Sequence, residues 1–157
     1  MSFLANIIWF LTGGVLVGLV YLLGAIIFFP LFPFLWPLVK YSFWPFGKTP
    51  VSRSDLAKYK EHESILSEQK SFETTTGVIR FLGNVLWILT FGWILAIIHL
   101  AACIINICLF FLIITIPNIG AHWKLMGVAF RPFGRIIVPK DLAREIEVGS
   151  AKQKLGL

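Results

Sequence analysis

At 157 residues the chain is long enough for about one domain, but 57% of it is hydrophobic and only 14% charged. Soluble domains run at roughly 45–50% and about 25%, and a soluble fold of this size cannot hide the excess inside one core. The net charge of +6 does not point to nucleic acid, because no basic patch with interleaved aromatics is present. The fourteen Lys and Arg instead flank apolar stretches: Lys40, six from Lys48 to Arg80 and seven from Lys124 to Lys154. Basic flanks beside apolar spans suit a bilayer with anionic headgroups.

The first apolar run, Phe3 to Phe29, is 27 residues, about 40 Å as a helix, and spans a hydrocarbon core of about 30 Å with tilt. It lacks the positive n-region of a signal peptide and is too long for an h-region, so it is expected to stay in the mature protein. Pro30–Phe46 follows, rich in Trp, Tyr, Phe and Pro with an isolated Lys. It reads as an interfacial or re-entrant piece, or as a final helical turn plus loop. Lys48–Arg80 changes character, with six bases and five acids. Ser52-x-x-Asp55 offers a helix cap there, with Leu56, Tyr59 and Leu66 on one weakly apolar side. The second apolar run, Phe81 to Ile116, is 36 residues, about 54 Å, too long for one straight span. A tight hairpin or a deep entry and return would use it. Pro117–Phe133 is again aromatic and interfacial in character, and the tail from Val138 carries a short helix near Asp141–Val148.

These parts repeat. Phe3–Thr12 lies over Phe81–Thr90 with six of ten positions identical, and Gly14 falls on Gly92. After a register change of nine residues, Pro30 pairs with Pro117, Trp36 with Trp123, Phe43 with Phe130, Pro45-Phe46-Gly47 with Pro132-Phe133-Gly134, Lys48 with Arg135 and Val51 with Val138. Matches of Asn, Trp, Pro and Gly in order indicate a duplication rather than shared apolarity. The expected fold is an all-α integral membrane protein with two tandem repeats, each a transmembrane helix or helical hairpin plus an interfacial aromatic/Pro segment. Its parts are a first membrane repeat at 3–51, a polar cytoplasmic connector at 52–80, a second membrane repeat at 81–138 and a polar cytoplasmic tail at 139–157.

On a helix, residues three, four and seven apart share a face. Gly14, Gly18, Tyr21 and Ala25 form such a stripe, and Gly92, Ala96, His99 and Cys103 repeat it, with Asn106 continuing the face. Small residues let helices pack closely in lipid, while polar groups at depth also suit a pore or substrate path. Asn6 and Asn84 recur three residues before Trp9 and Trp87, where an amide can cap a helix or bond across to the sister repeat. Trp36, Lys48, Trp123, Lys124 and Arg135 are expected to anchor the chain at the membrane interface, and Gly47 and Gly134 to turn it out of the membrane.

No nucleophile elbow, phosphate-binding loop or metalloprotease motif is present, so no catalytic residue is assigned. All eight acids lie in the connector or tail, which leaves proton-coupled pumping without an intramembrane carboxylate. His99 and Cys103 stand at i and i+4 with no further ligand on their face, too few for a metal, and no cofactor is expected. Cys103 and Cys108 sit in an apolar run and do not form a disulfide framework.

The motifs Asn84-x-x-Trp87, Gly92-Trp93, His99-Leu100, Ile116-Pro117, Trp123-Lys124 and Pro132-Phe133-Gly134-Arg135 resemble the YccF family of small bacterial inner-membrane proteins, whose members usually carry two copies of this unit. The resemblance covers nearly the whole chain. The first copy departs from it by lacking nine residues and by carrying Pro33 and Pro37. The resemblance implies a bacterial inner-membrane location and brings no activity with it. The expected function is that of a non-enzymatic membrane component, a homo-oligomer that scaffolds or regulates a membrane process, with a partner membrane protein as a further candidate. A small oligomeric channel or transporter is the alternative.

Connector and tail carry six and seven bases, and the positive-inside rule counts bases near span ends. Both are therefore expected in the cytoplasm, with two parallel, re-entering units. A reporter active only in the cytoplasm, fused after Lys154, should be active, and a periplasmic signal there would sink this topology.

Overall fold

The computed structural model describes residues 2–62 and 70–155; Leu66 of the expected connector helix lies outside them. In the first unit, α1 (Ser2–Trp9) and α2 (Val15–Ile27) are joined through a π-helical turn at Phe10–Gly14 that kinks at Gly13 (φ 152°). A run of Leu, Ile, Val and Ala without a charge makes this stretch, Ser2–Ile27, long and apolar enough to cross a membrane. Thr12 turns its hydroxyl back onto the Ile8 carbonyl at 2.7 Å, so no polar group is spent on lipid. The chain reverses at Phe28–Leu31 around Pro30, and α3 (Phe32–Phe43) returns along α2. Pro33 falls in the first turn of α3, where its missing N–H has no helical partner to lose.

The second unit follows the same course. α5 (Lys70–Trp87), a π-helical turn at Ile88–Gly92 and α6 (Trp93–Cys108) form one long helix, crossed back by α7 (Ile116–Phe130). The nine extra residues lengthen the membrane-deep end: α6 has 16 residues where α2 has 13, and the reversal through Leu109–Thr115 is longer. The segments expected as interfacial or re-entrant pieces are thus the return helices of two hairpins.

Each hairpin is closed by its own amide and its own indole. Asn6 donates to the Phe46 carbonyl at 3.0 Å and accepts from the Phe46 N–H at 2.9 Å. Asn84 does the same to Phe133 at 2.9 and 3.1 Å. Trp9 Nε1 donates to the Ser42 carbonyl and Trp87 Nε1 to the Ala129 carbonyl, both at 2.8 Å. The expectation that Asn6 and Asn84 join one repeat to the other is therefore corrected. The amide reaches the segment that leaves the membrane beside it, because the hairpin return brings that backbone within one side-chain length.

The helical fold expected from the sequence also carries one small two-stranded sheet. Past the left-handed turns at Gly47 (φ 84°) and Gly134 (φ 90°), β1 (Lys48–Ser52) and β2 (Arg135–Pro139) pair antiparallel. The register sets Pro50 against Ile137, positions that match in the two copies read from the sequence. Two further bonds flank the ladder reciprocally, Arg53 N–H to Gly134 O at 2.9 Å and Lys140 N–H to Gly47 O at 3.1 Å. The exits of both units consequently lie at the same end of the structure.

Two helices follow the strands directly. α4 (Arg53–His62) starts where Ser52 Oγ accepts the Ser54 N–H at 3.2 Å, as the capping pattern suggests. α8 (Lys140–Leu155) begins one residue before the expected tail helix and runs seven residues beyond its expected end. Leu56 and Tyr59 of α4 pack with Val51, Val138, Ala143 and Ile146 in a small second core. The main core is aromatic, centred on Trp9, Trp87, Tyr21, Tyr41, Leu35 and Leu125, while Leu11, Leu16, Leu89 and Ile113 face outward, an arrangement that lipid and not water rewards.

Removing the amide in Asn6→Ala or Asn84→Ala orphans a buried backbone N–H and C=O. Each variant should lose about 1–3 kcal/mol of stability, read as unfolding in detergent. Asn6→Gln and Asn84→Gln, which keep the amide on a longer stem, should lose less.

Candidate functional site at the interface between the two units

The two stripes face one another inside a single chain. Tyr21 on α2 and His99 on α6, which match in the two copies, meet with Oη 3.1 Å from Nε2. His99 Nδ1 is in turn 3.0 Å from His122 Nδ1 on α7, and the His122 ring meets the Trp9 ring at 4.8 Å with the planes at 69°. Tyr21 and His99 are each 1% exposed and His122 6%, so this polar chain lies wholly within the hydrophobic core.

Elementary hydrogen-bond accounting allows it two arrangements. A neutral imidazole has one N–H and one acceptor nitrogen. In the first arrangement Tyr21 donates to His99 Nε2, and His99 Nδ1–H donates to His122 Nδ1. In the second His122 Nδ1–H donates to His99 Nδ1, His99 Nε2–H donates to the Tyr21 oxygen, and the Tyr21 hydroxyl donates to the Leu125 carbonyl 3.4 Å away. Both keep every ring neutral and preserve the Tyr21–His99 and His99–His122 hydrogen bonds. The assembly is a polar lock between α2, α6 and α7 whose contacts either arrangement satisfies.

The other stripe residues take different positions. Gly14 lies against the Trp9 indole and Gly18 under the Phe43 ring, where a methyl would collide. Gly92 holds the same relation to Trp87 and the Ala129 carbonyl. The glycines thus serve close packing within each hairpin. Ala25 and Ala96 are buried in the core. Cys103 is buried, its thiol 3.9 Å from the Ile119 carbonyl. Asn106 turns to the Ala102 carbonyl of its own helix at 2.8 Å and stands apart from the Tyr21–His99–His122 chain.

Of the residues expected to anchor at the membrane interface, Trp36, Trp123, Lys48 and Arg135 are exposed and Lys124 is half-buried, and Lys40 sits over the Trp36 ring at 5.6 Å. Four residues of this interface were not singled out from sequence. His122 and Asn118 stand at i and i+4 on the inner face of α7, the one signal that could have found them. Asn118 Nδ2 reaches Thr12 Oγ1 at 2.7 Å and so ties α7 to the first unit. Gly24 admits the second unit's Phe91, whose ring would be 2.7 Å from a methyl there. The fourth, Tyr41, is buried with its hydroxyl unpartnered among the described residues. Among those residues no group of three His, Cys, Asp or Glu is arranged to hold a metal.

Two long apolar helices with an apolar outer surface define a helical integral membrane protein. The comparisons find a family the chain is similar to. Residues 82–135 match the family model YccF, described as an inner membrane component domain. The chain is also 26% identical to the inner membrane protein YccF of Escherichia coli (strain K12) and to that of Shigella flexneri, over 98% of this chain and 99% of each relative. The resemblance carried by the sequence motifs is thereby borne out: the chain is similar to the YccF inner membrane proteins over nearly its whole length. No solved structure matches the chain.

Because the two histidines satisfy each other, losing one leaves a buried polar atom behind, whereas losing both removes the need for a partner. His122→Leu should therefore cost about 1–3 kcal/mol. His99→Leu/His122→Leu should cost less than the sum of the single changes by about 1 kcal/mol. Strict additivity in a double-mutant cycle would show that the pair makes no energetic contact.

Proposed function

We propose that the protein is a non-enzymatic component of the bacterial inner membrane that scaffolds or regulates a membrane process as a homo-oligomer. The burial of the Tyr21–His99–His122 chain inside one protomer is the observation that carries this reading. Its polar groups are consumed in holding two hairpins together and present no open cleft in which a substrate could react. The reciprocal bonds at Gly47 and Gly134 support reading the hairpins as two copies of one unit. Strand pairing at one end of both supports a multi-pass topology in which connector and tail share the cytoplasmic side. For self-association the chain offers the outer face of α7. There Trp123 is 63% exposed and Gly120 and Gly127 have open space beside them, a notch that suits close helix approach in lipid. A partner membrane protein would use the same face.

The channel or transporter reading is favoured by one observation, a polar chain at membrane depth with two proton arrangements. Its path would run between the two units of a single chain, since the stripes face inward and not toward neighbouring protomers. Native mass spectrometry of the protein in nanodiscs, followed by flux assays in liposomes, separates the two. A scaffold gives a defined oligomer and flux no higher than empty vesicles. Ion or proton flux that disappears in His99→Ala would overturn the scaffold and establish the transporter.

A further inference from the structure

The sheet that joins the two exits also gathers charge. Its two ends are alike in backbone geometry and unlike in chemistry. At one end, pairing of Ser52 with Arg135 and the Arg53 N–H bond to Gly134 bring Arg53 and Arg135 together. Acids answer them there, since Asp55 and Glu147 line the same shallow pocket as Arg135. At the other end, pairing of Lys48 with Pro139 and the Lys140 N–H bond to Gly47 bring Lys48 beside Lys140. Lys124 of α7 completes the group: half-buried, it lies close enough to Lys140 to be repelled by it. None of the three lysines makes an ion pair among the described residues. The acid next in sequence, Asp141, is exposed in the first turn of α8, where it meets that helix's own N-terminus.

Three like charges from three elements, one from the first unit and two from the second, would separate if nothing neutral or negative lay between them. They stand where the chain leaves the membrane, since Lys48 follows the left-handed turn of Gly47 and Lys124 follows the exposed Trp123. A lysine stem in that position lies along the apolar surface and carries its ammonium to the headgroup layer. We propose that Lys48, Lys124 and Lys140 bind the phosphate of an anionic phospholipid. The bound phosphate bridges the exit of the first unit to the return helix and tail helix of the second. Neither unit holds the whole site. The Arg53–Arg135 end, where Asp55 and Glu147 stand beside Arg135, takes no lipid.

Native mass spectrometry of the full-length protein tests this with phosphatidylglycerol and phosphatidylcholine of identical chains. The protein should retain phosphatidylglycerol in preference. Lys48→Gln/Lys140→Gln, both at exposed positions, should weaken that retention about tenfold or more, and adding Lys124→Gln should weaken it further. Lys48→Arg/Lys124→Arg/Lys140→Arg and Arg53→Gln/Arg135→Gln should both retain it. Equal retention of the two lipids, or undiminished retention in the glutamine variants, would overturn the site. Displacement of the lipid by millimolar inorganic phosphate would overturn the lipid as its occupant in favour of a soluble anion.

Discussion

Hydrocarbon offers no hydrogen-bond partners, so a backbone that bends in the membrane must find them in its own side chains. Each hairpin here has a reversal at its deep end, a π-helical turn in its long helix and a short return helix whose last carbonyls have no helical donor. An amide and an indole, three residues apart on the long helix, supply the partners: Asn6 and Trp9 in one unit, Asn84 and Trp87 in the other. Everything else in the architecture depends on that closure. The glycines that follow exist because the indole must lie flat across the helix to reach its carbonyl, as the tight contacts of Gly14 with Trp9 and of Gly92 with Trp87 record.

The interface between the hairpins solves a different problem. Apolar side chains gain little by leaving lipid for protein, so helix association in a membrane rests on fit and on polar contacts. Gly24 against Phe91 is the fit, and Tyr21–His99–His122 with Asn118–Thr12 is the polar part. Placing ionisable rings in neutral, mutually satisfied form costs far less than burying a charge. The absence of carboxylates from the apolar runs follows the same logic.

Much of this was legible in the sequence. The apolar runs, the duplicated Asn and Trp, the stripes and the Pro-Phe-Gly exits all carry signals of spacing or residue identity that survive without coordinates. What escaped did so for physical reasons. The return helices are masked by Pro33, Pro37 and Pro117, which read as breaks; Pro33 and Pro117 sit in first turns where a proline costs little, and Pro37 lies inside α3. Asn6 and Asn84 were assigned to the wrong neighbour because helical spacing gives the face of a residue and not the segment opposite it. His122 stood in a stretch whose aromatics suggested a headgroup position. The strands were missed because five residues are too few for an alternation to stand out, and their pairing joins segments from separate units.

That pairing imposes a timetable. Strand β1 is complete once Ser52 has been made, but its partner begins only at Arg135. During synthesis at about 5–20 residues per second, the first hairpin must wait several seconds with its exit strand unpaired at the membrane surface. A waiting strand edge is a template for the wrong neighbour. In β1 Pro50 removes one donor from that edge and Lys48 adds a charge to it, so the chain carries its own protection for the interval before its second half arrives.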